Sequence, residues 1–299
     1  MTLGKTLRVL RHAPAKINLY LDILGCREDG YHELLTVMHS LSLHDDIIVY
    51  YTPTDTREIS LRVYGARLPL DGRNLAYRAA EAFLDRIGRT ARVYITIRKR
   101  IPIAGGMAGG SSDAAAVLLA CNDAAGHPLD RDALLALAAS LGSDVPFCLV
   151  GGTQICRGRG ERMSALACRE PLHAVIAVSG ERVSTPEAFS RTDAHYNRFD
   201  GSVPHGADPE RLYRLLAEGG LALPPDAVYN AFEDVVLPTC PAACALRDRL
   251  RELGAYSAHM SGSGPSVFGL FRTAEEARAA ALALGPAARY ATSVPENKI

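Results

Sequence analysis

Apolar and polar residues alternate along residues 13–24, which read APAKINLYLDIL. This period of two predicts a half-buried strand, because successive side chains of a strand point to opposite faces. Lys16 and Asn18 fall on the face opposite the apolar residues. The strand therefore presents two polar side chains on one surface.

The same kind of pattern predicts the other elements. Strand-like runs occur at residues 34–51, 59–63, 93–97, 172–178 and 256–260, the first of them as one or two strands that break at Asp45 and Asp46. Helical spacing with Gly, Pro or Asp boundaries occurs at residues 74–87, 130–141, 209–218, 240–253 and 274–284. Residues 193–209 are polar and rich in Gly, Pro and His, which predicts a surface loop.

The length of the chain indicates two lobes. Its 299 residues exceed one ordinary domain of roughly 100–200 residues. The polar turn GRGERM is followed by a short apolar strand that could open a second lobe. We therefore place the domain boundary near Arg162, with one domain at residues 1–162 and the other at residues 163–299.

Composition excludes several classes of partner. Lys+Arg and Asp+Glu are both 33, so no overall positive field exists to hold a nucleic acid or an anionic membrane. No apolar run approaches the roughly 20 residues of a membrane span, and the first residues lack the apolar stretch of a signal peptide. Seven scattered cysteines without a C-x-x-C pair favour reduced thiols over disulfides or zinc. We expect a cytoplasmic protein.

The segment PIAGGMAGGSS lies between a predicted strand and a helix that would be capped by Ser111 or Ser112 and would end near Gly126. Closely spaced glycines let backbone N–H groups converge on an anion, and the helix adds its positive N-terminal end. The spacing matches neither a Walker A loop nor a dinucleotide fingerprint, and the alternative is a turn that only packs closely. The candidate phosphate-binding residues are Pro102, Ile103, Ala104, Gly105, Gly106, Met107, Ala108, Gly109, Gly110, Ser111 and Ser112.

Two charged residues and a second small-residue loop complete the candidate chemistry. SGSGPSVFGLF, at residues 261–271, could approach the phosphates, close over the first loop, or simply be a turn into a strand. Lys16 and Asp144 could each be solvated or part of a structural ion pair. Together, an ammonium and a carboxylate in a cleft could deprotonate a hydroxyl and stabilise the resulting oxygen anion.

Five motifs in order, PAKINLYLDI, DGYHEL, IPIAGGMAGGSSDAA, GSDVPF and SGSGPSVF, resemble those of the GHMP kinase superfamily. DGYH and GSDVPF more closely resemble the members whose substrate is cytidine diphosphate methylerythritol. The resemblance implies a two-lobe α/β (α+β) fold, with an N-terminal lobe similar to domain 2 of ribosomal protein S5 and a ferredoxin-like C-terminal lobe. It also implies ATP, Mg²⁺ and a monomer or homodimer.

The resemblance assigns roles to individual residues. Lys16 and Asp144 correspond to the catalytic pair, with Asp144 as general base. Residues expected at the substrate are Asn18, Tyr31, His32, Asn74 and Phe189. Tyr31 would stack on the cytosine, His32 would hydrogen-bond to its edge, and Phe189 would either cover the other face or belong to the core.

This chain departs from the glycine-richest form of the loop at Ala104, Ala108 and Met107. Because alanine disfavours positive φ, we expect neither alanine to adopt it. Ser112 is a candidate Mg²⁺ ligand by position, and the sequence shows no dedicated carboxylate for the ion.

Two alternatives remain. Another GHMP kinase, acting on homoserine, mevalonate or a sugar, would keep the glycine loop but has no reason to keep DGYH. A non-catalytic nucleotide-binding or RNA-binding module is the other, and the zero net charge together with Lys16 and Asp144 counts against it.

Overall fold

The computed structural model describes residues 4–196, 208–219 and 223–297, which form two β-sheets with helices packed on them. The predicted elements are found with small shifts at their ends. No helix in these described ranges is long and apolar enough to cross a membrane.

The first sheet has seven strands. They are β1 (Leu7–Cys26), β2 (His32–Pro53), β3 (Glu58–Tyr64), β4 (Ala91–Arg98), β5 (Thr153–Gly158), β6 (Arg162–Ala165) and β8 (Tyr229–Asn230). The order is β3-β4-β2-β1-β8, and β5 lies beside β2 and carries β6 on its other edge. The long β2 pairs with β4 over Asp46–Pro53 and with β5 over Leu34–His39, so one strand supports two neighbours.

Three helices pack on this sheet, α1 (Leu75–Ile87), α2 (Gly109–Ala124) and α4 (Val145–Val150), and α3 (Arg131–Leu141) packs against these helices. Asn74 caps α1 by accepting a hydrogen bond from the backbone of Ala76, and Asp130 caps α3 in the same way at Ala133. The body of α2 is buried almost all round, which fits its run of Ala and Leu. The beginning of α2 is thereby held against the sheet.

The second sheet is antiparallel in the order β11-β7-β10-β9. Its strands are β7 (His173–Ala177), β9 (Ser257–Met260), β10 (Val267–Phe271) and β11 (Ala288–Thr292). The accompanying helices are α5 (Thr185–Tyr196), α6 (Pro209–Glu218), α7 (Glu233–Val236), α8 (Pro241–Glu252) and α9 (Ala274–Leu284). This four-stranded antiparallel sheet with helices fits the expected ferredoxin-like lobe.

The two sheets share a hydrophobic cluster. Ile17 and Leu19 of β1 belong to the same buried cluster as Phe268 and Leu270 of β10. The last described residues also return to the first sheet, where the backbone N–H of Val294 donates to Ser40 O of β2 at 3.1 Å. The two sheets are therefore packed together along β1.

Three local predictions were wrong. β2 runs without a break through Asp45 and Asp46, because β4 takes over as its partner at that point. Residues 15–23 of β1 are buried on both faces, since the second lobe covers the side that was expected to face solvent. Asp193 belongs to α5 rather than to a loop, and residues 197–207 of that expected loop lie outside the described residues.

Candidate active site

The glycine-rich loop leads directly into α2, which begins at Gly109 rather than at the predicted serine caps. The cap position is Ala108, in the left-handed conformation at φ 55°, and Ala104 has φ 56°. The expectation that neither alanine would adopt positive φ was wrong. Each left-handed alanine costs roughly 1–2 kcal/mol, which the packing around the loop must offset.

The two small-residue loops are packed against each other. Ser261 Oγ donates to Gly106 O at 3.0 Å, and a Cβ on Gly106 would lie 1.9 Å from Ser261 O. A Cβ on Gly262 would similarly lie 2.8 Å from Gly106 O. Glycine is needed at these positions because the two backbones are in contact. Of the three roles considered for the loop at residues 261–271, the structure therefore shows closure over the glycine-rich loop.

Lys16 lies where these loops meet β1. Its side chain is buried, its Nζ donates to Asn18 Oδ1 at 2.6 Å, and a Cβ on Gly262 would be 3.1 Å from the same Nζ. Asn18 donates in turn to Thr36 Oγ1 at 2.8 Å. This chain of hydrogen bonds fixes the ammonium at the cleft wall and leaves it two further N–H donors.

Asp144 stands at the N-cap position of α4, half-buried at the wall of the same cleft. Burial raises the pKa of the Cys148 and Cys156 thiols; the negative charge of Asp144 raises both further, and the positive charge of Lys16 lowers them. Both charges therefore act on the same small region. Lys16 and Asp144 line the same cleft without forming an ion pair with each other.

A buried charge cluster lies behind the glycine loop, and the sequence analysis did not identify it. Lys99 Nζ pairs with Asp45 and lies 2.8 Å from Asp113 Oδ2. Asp45 also accepts the backbone N–H of Ile101 at 2.9 Å, whereas Asp113 Oδ1 is buried without a hydrogen-bond partner. Two carboxylates thus share one ammonium directly beneath the beginning of α2.

Burial, opposed by the charge of Lys99 and reinforced by that of Asp45, holds the pKa of Asp113 well above its ordinary value. A carboxyl whose pKa is higher in the folded than in the unfolded chain stabilises the fold at low pH, and this contribution is lost as the pH rises through the folded pKa. We therefore expect Asp113→Asn to increase the free energy of unfolding, relative to the parent, more at pH 8 than at pH 5. Urea unfolding at both pH values measures this difference; equal effects at both would contradict it.

Aromatic residues line the opposite side of the cleft. Tyr31 is 51% exposed, and the Arg159 guanidinium lies 4.6 Å from the centre of its ring. His32 Nε2 lies 2.8 Å from Asp193 Oδ1, and the Phe189 ring stacks on His32 at 4.4 Å between ring centres. This side thus offers the exposed Tyr31 ring beside the Arg159 cation, together with the stacked rings of His32 and Phe189.

One cleft of about 910 Å³ contains most of the predicted residues. Lys16, Asn18, Tyr31, His32, Phe189, Asp144 and residues 102–111 line it. Asn74 and Ser112 do not: both oxygen and nitrogen of the Asn74 amide are used at the start of α1, and Ser112 Oγ donates to Pro14 O at 2.7 Å. Lys99, Thr36 and Arg159 line the cleft without having been predicted.

Comparison with known proteins finds two matching family models: GHMP kinases N terminal domain over residues 74–152, and GHMP kinases C terminal over residues 207–290. A 4-diphosphocytidyl-2-C-methyl-D-erythritol kinase of Pelotomaculum thermopropionicum is 42% identical over 266 residues, which cover 89% of this chain and 90% of that protein. Another, of Deinococcus radiodurans, is 40% identical over 279 residues, covering 92% and 89%.

A solved structure is also similar. The crystal structure of 4-(cytidine 5'-diphospho)-2C-methyl-D-erythritol kinase aligns with a TM-score of 0.79 at 38% identity, covering 95% of this chain and 98% of that one. Sequence and fold thus agree over nearly the whole length.

Proposed function

This chain belongs to the GHMP kinase family and, within it, to the 4-diphosphocytidyl-2-C-methyl-D-erythritol kinases, and on that premise we propose that its cleft transfers the γ-phosphate of ATP to the 2-hydroxyl of 4-diphosphocytidyl-2-C-methyl-D-erythritol. The products are the 2-phosphate and ADP. The reaction belongs to the non-mevalonate (methylerythritol phosphate) route to isoprenoid precursors.

The observation that carries this proposal is the meeting of three features in one cleft: the glycine loop, Lys16 and Asp144. The side chain of Asp144 makes no hydrogen bond to any described residue, so its carboxylate is available to accept the proton of the substrate hydroxyl. Lys16, held by Asn18, stabilises the oxygen anion that develops as the proton leaves.

The beginning of α2 receives the phosphates of ATP. Gly109, Gly110 and Ser111, the first residues of the helix, line the cleft, and a Cβ on Gly110 would meet nothing within 4 Å. Unpaired N–H groups and the positive end of a helix bind anions. Residues 102–111 line the space in which the phosphates would lie.

A magnesium ion fits this site in its donor chemistry. Ser111 lines the cleft, and its side chain makes no hydrogen bond to any described residue. Mg²⁺ prefers oxygen ligands and usually takes one or two from the protein and the rest from phosphate and water. When bound, the ion would neutralise charge on the phosphates. Ser112 is a poorer candidate because its buried hydroxyl already donates to Pro14.

Tyr31, His32 and Phe189 form the proposed cytidine end of the cleft, and Asn18, bonded to Lys16, lines the same cleft. Asn74 remains a proposal of the sequence resemblance only, because its amide is used in capping α1. Arg159, which lies over the Tyr31 ring, places a positive charge where the diphosphate of the substrate would lie.

We expect Tyr31→Ala to raise the KM for the cytidine substrate by about tenfold or more while the KM for ATP changes little, because base stacking contributes roughly 1–3 kcal/mol. Steady-state kinetics with each substrate varied in turn measures the two constants. Tyr64→Ala, another exposed tyrosine away from the cleft, is the matched control. Equal increases in both KM values would mean that Tyr31 has only a structural role.

The proposed activity is tested by coupled ADP release from ATP and Mg²⁺, with 4-diphosphocytidyl-methylerythritol, homoserine, mevalonate and galactose as acceptors. Turnover with the cytidine compound alone is the expected result. Turnover with another alcohol would support the kinase activity but contradict the proposed cytosine site. If none of the four acceptors is phosphorylated and the chain binds RNA, the alternative of a non-catalytic nucleotide-binding or RNA-binding module would be favoured.

Several broader expectations stay proposals. We propose that the domains divide near Arg162, with residues 1–162 binding ATP and residues 163–299 forming the second GHMP kinase domain. We also propose a cytoplasmic enzyme, a monomer or homodimer, with no nucleic acid or membrane partner, which agrees with its zero net charge.

A further inference from the structure

Two histidines and an aspartate meet on one face of the β1–β2 pair, outside the cleft. His12 lies in β1, and His44 and Asp46 lie in the part of β2 that pairs with it. The two imidazole rings are 4.3 Å apart between centres. One nitrogen from each histidine and one oxygen of Asp46 all lie within 4.8 Å of one another.

The separations suit a small tetrahedral ion. His12 Nδ1 is 3.0 Å and His44 Nε2 is 3.4 Å from the same oxygen, Asp46 Oδ1. Zinc binds nitrogen and oxygen at about 2.0–2.2 Å in tetrahedral geometry, so two of its ligands are separated by roughly 3.3–3.6 Å. Both distances therefore come within a few tenths of an ångström of that spacing, with no strand having to move.

The orientation of His44 gives a second, independent indication. Its Nδ1 lies 2.6 Å from Ser42 O, and because a carbonyl oxygen only accepts, Nδ1 must carry the proton. In the neutral ring Nε2 is then a bare lone pair that faces the Asp46 carboxylate. Two acceptors at 3.4 Å repel unless a proton or a metal ion lies between them. A carbonyl bond of this kind is the usual way in which a metal-binding histidine is oriented.

One oxygen of the Asp46 carboxylate faces both histidines. Arg100 Nη2 occupies the other oxygen, Oδ2, at 2.6 Å, and so leaves Oδ1 to the histidines. The Arg100 charge also opposes a cation, which favours moderate rather than very tight binding.

We propose that His12, His44 and Asp46 form a binding site for a divalent transition metal of the zinc class, with water in the remaining position. Two imidazoles and one carboxylate suit Zn²⁺ and its neighbours better than Mg²⁺, so this site is chemically distinct from the magnesium proposed for the cleft. The ion would join β1 to β2 one residue from Asp45, beside the chain that enters the glycine loop.

The experiment uses the full, tag-free, metal-free chain with Cys26→Ser, because Cys26 is an exposed thiol that could itself bind metal. Titration with Co²⁺ should give the visible absorption of a tetrahedral or five-coordinate site with one equivalent bound, and Zn²⁺ should displace it. His12→Gln and His44→Gln should each weaken Zn²⁺ binding by at least about tenfold, the lower end of what even an outer-shell partner contributes.

His127→Gln is the matched control, because His127 is an exposed histidine that also lies near an aspartate, Asp123, at 3.8 Å. It should bind as the parent does. Zn²⁺ should also raise the unfolding temperature of the parent and of this control but not that of His44→Gln. Undiminished Zn²⁺ binding in both His12→Gln and His44→Gln, or no saturable binding in the parent, would overturn the proposal.

Discussion

Asp144→Asn is expected to lower kcat by roughly 10²–10⁴, the range that removal of a general base usually costs, while ATP binding is retained. The amide has nearly the shape of the carboxylate but cannot take up the proton of the substrate hydroxyl. Asp144 makes no hydrogen bond to the described residues, so the substitution leaves no partner unsatisfied. Single-turnover kinetics at saturating ATP isolates the chemical step.

Two comparisons make this result specific. Asp132→Asn, an exposed aspartate in the first turn of α3, should leave kcat unchanged. Circular dichroism and the unfolding temperature should be the same for both variants. If Asp144→Asn turns over at a near-normal rate, Asp144 is not the base, and Lys16 with the phosphate-binding amides must account for the catalysis.

Gly106→Ala is expected to lower the free energy of unfolding by roughly 2–4 kcal/mol, because it adds a Cβ at positive φ and in steric overlap with a backbone oxygen. Gly106 has φ 72°, and the new Cβ would lie 1.9 Å from Ser261 O. Positive φ alone is tolerated in this loop, as Ala104 and Ala108 demonstrate. The overlap forces the two loops apart, so kcat/KM for ATP should fall as well.

Gly110→Ala is the matched control for stability. A Cβ there would meet nothing within 4 Å, and Gly110 lies in the first turn of α2, where alanine is a better helix former. Urea unfolding should therefore show no loss for Gly110→Ala and a clear loss for Gly106→Ala. Equal midpoints for the two would mean that the contact between the loops contributes little to stability.

Much of the fold was predictable because it depends on local patterns. A few neighbouring residues are enough to predict the alternation in β1, the Asp cap of α3, and the Pro and Gly at the two ends of α6. The features that could not be predicted depend on distant partners. The sequence gives no sign that Asp45, Lys99 and Asp113 form a cluster. They come together only because β2 pairs with β4 and α2 packs above them.

The same distinction applies to the candidate site. The glycine loop was recognisable because its glycines lie close together, whereas the left-handed conformation of Ala104 and Ala108 is imposed by packing and overrides the preference of alanine. Arg159 gave no signal in the sequence, since only the return of the chain after β5 brings it over Tyr31. The two-residue strand β8 is likewise too short to have a pattern of its own.

The contact between the two loops also determines the order in which parts of the fold can be completed during synthesis of the chain. Gly106 and Ser261 are 155 positions apart, and β1 precedes its partner β8 by about 200 residues, so one edge of β1 stays unpaired until β8 has been made. Domains generally fold as they leave the ribosome, N-terminal part first. In this chain the first sheet can begin to form early, but the edge of β1 is not paired until Tyr229 and Asn230 have emerged, and the contact between the two loops is not made until residues beyond 260 have emerged. A chain truncated before that point would lack the second loop beside Lys16, so we expect a nascent molecule to bind ATP productively only after residues 261–264 have been made.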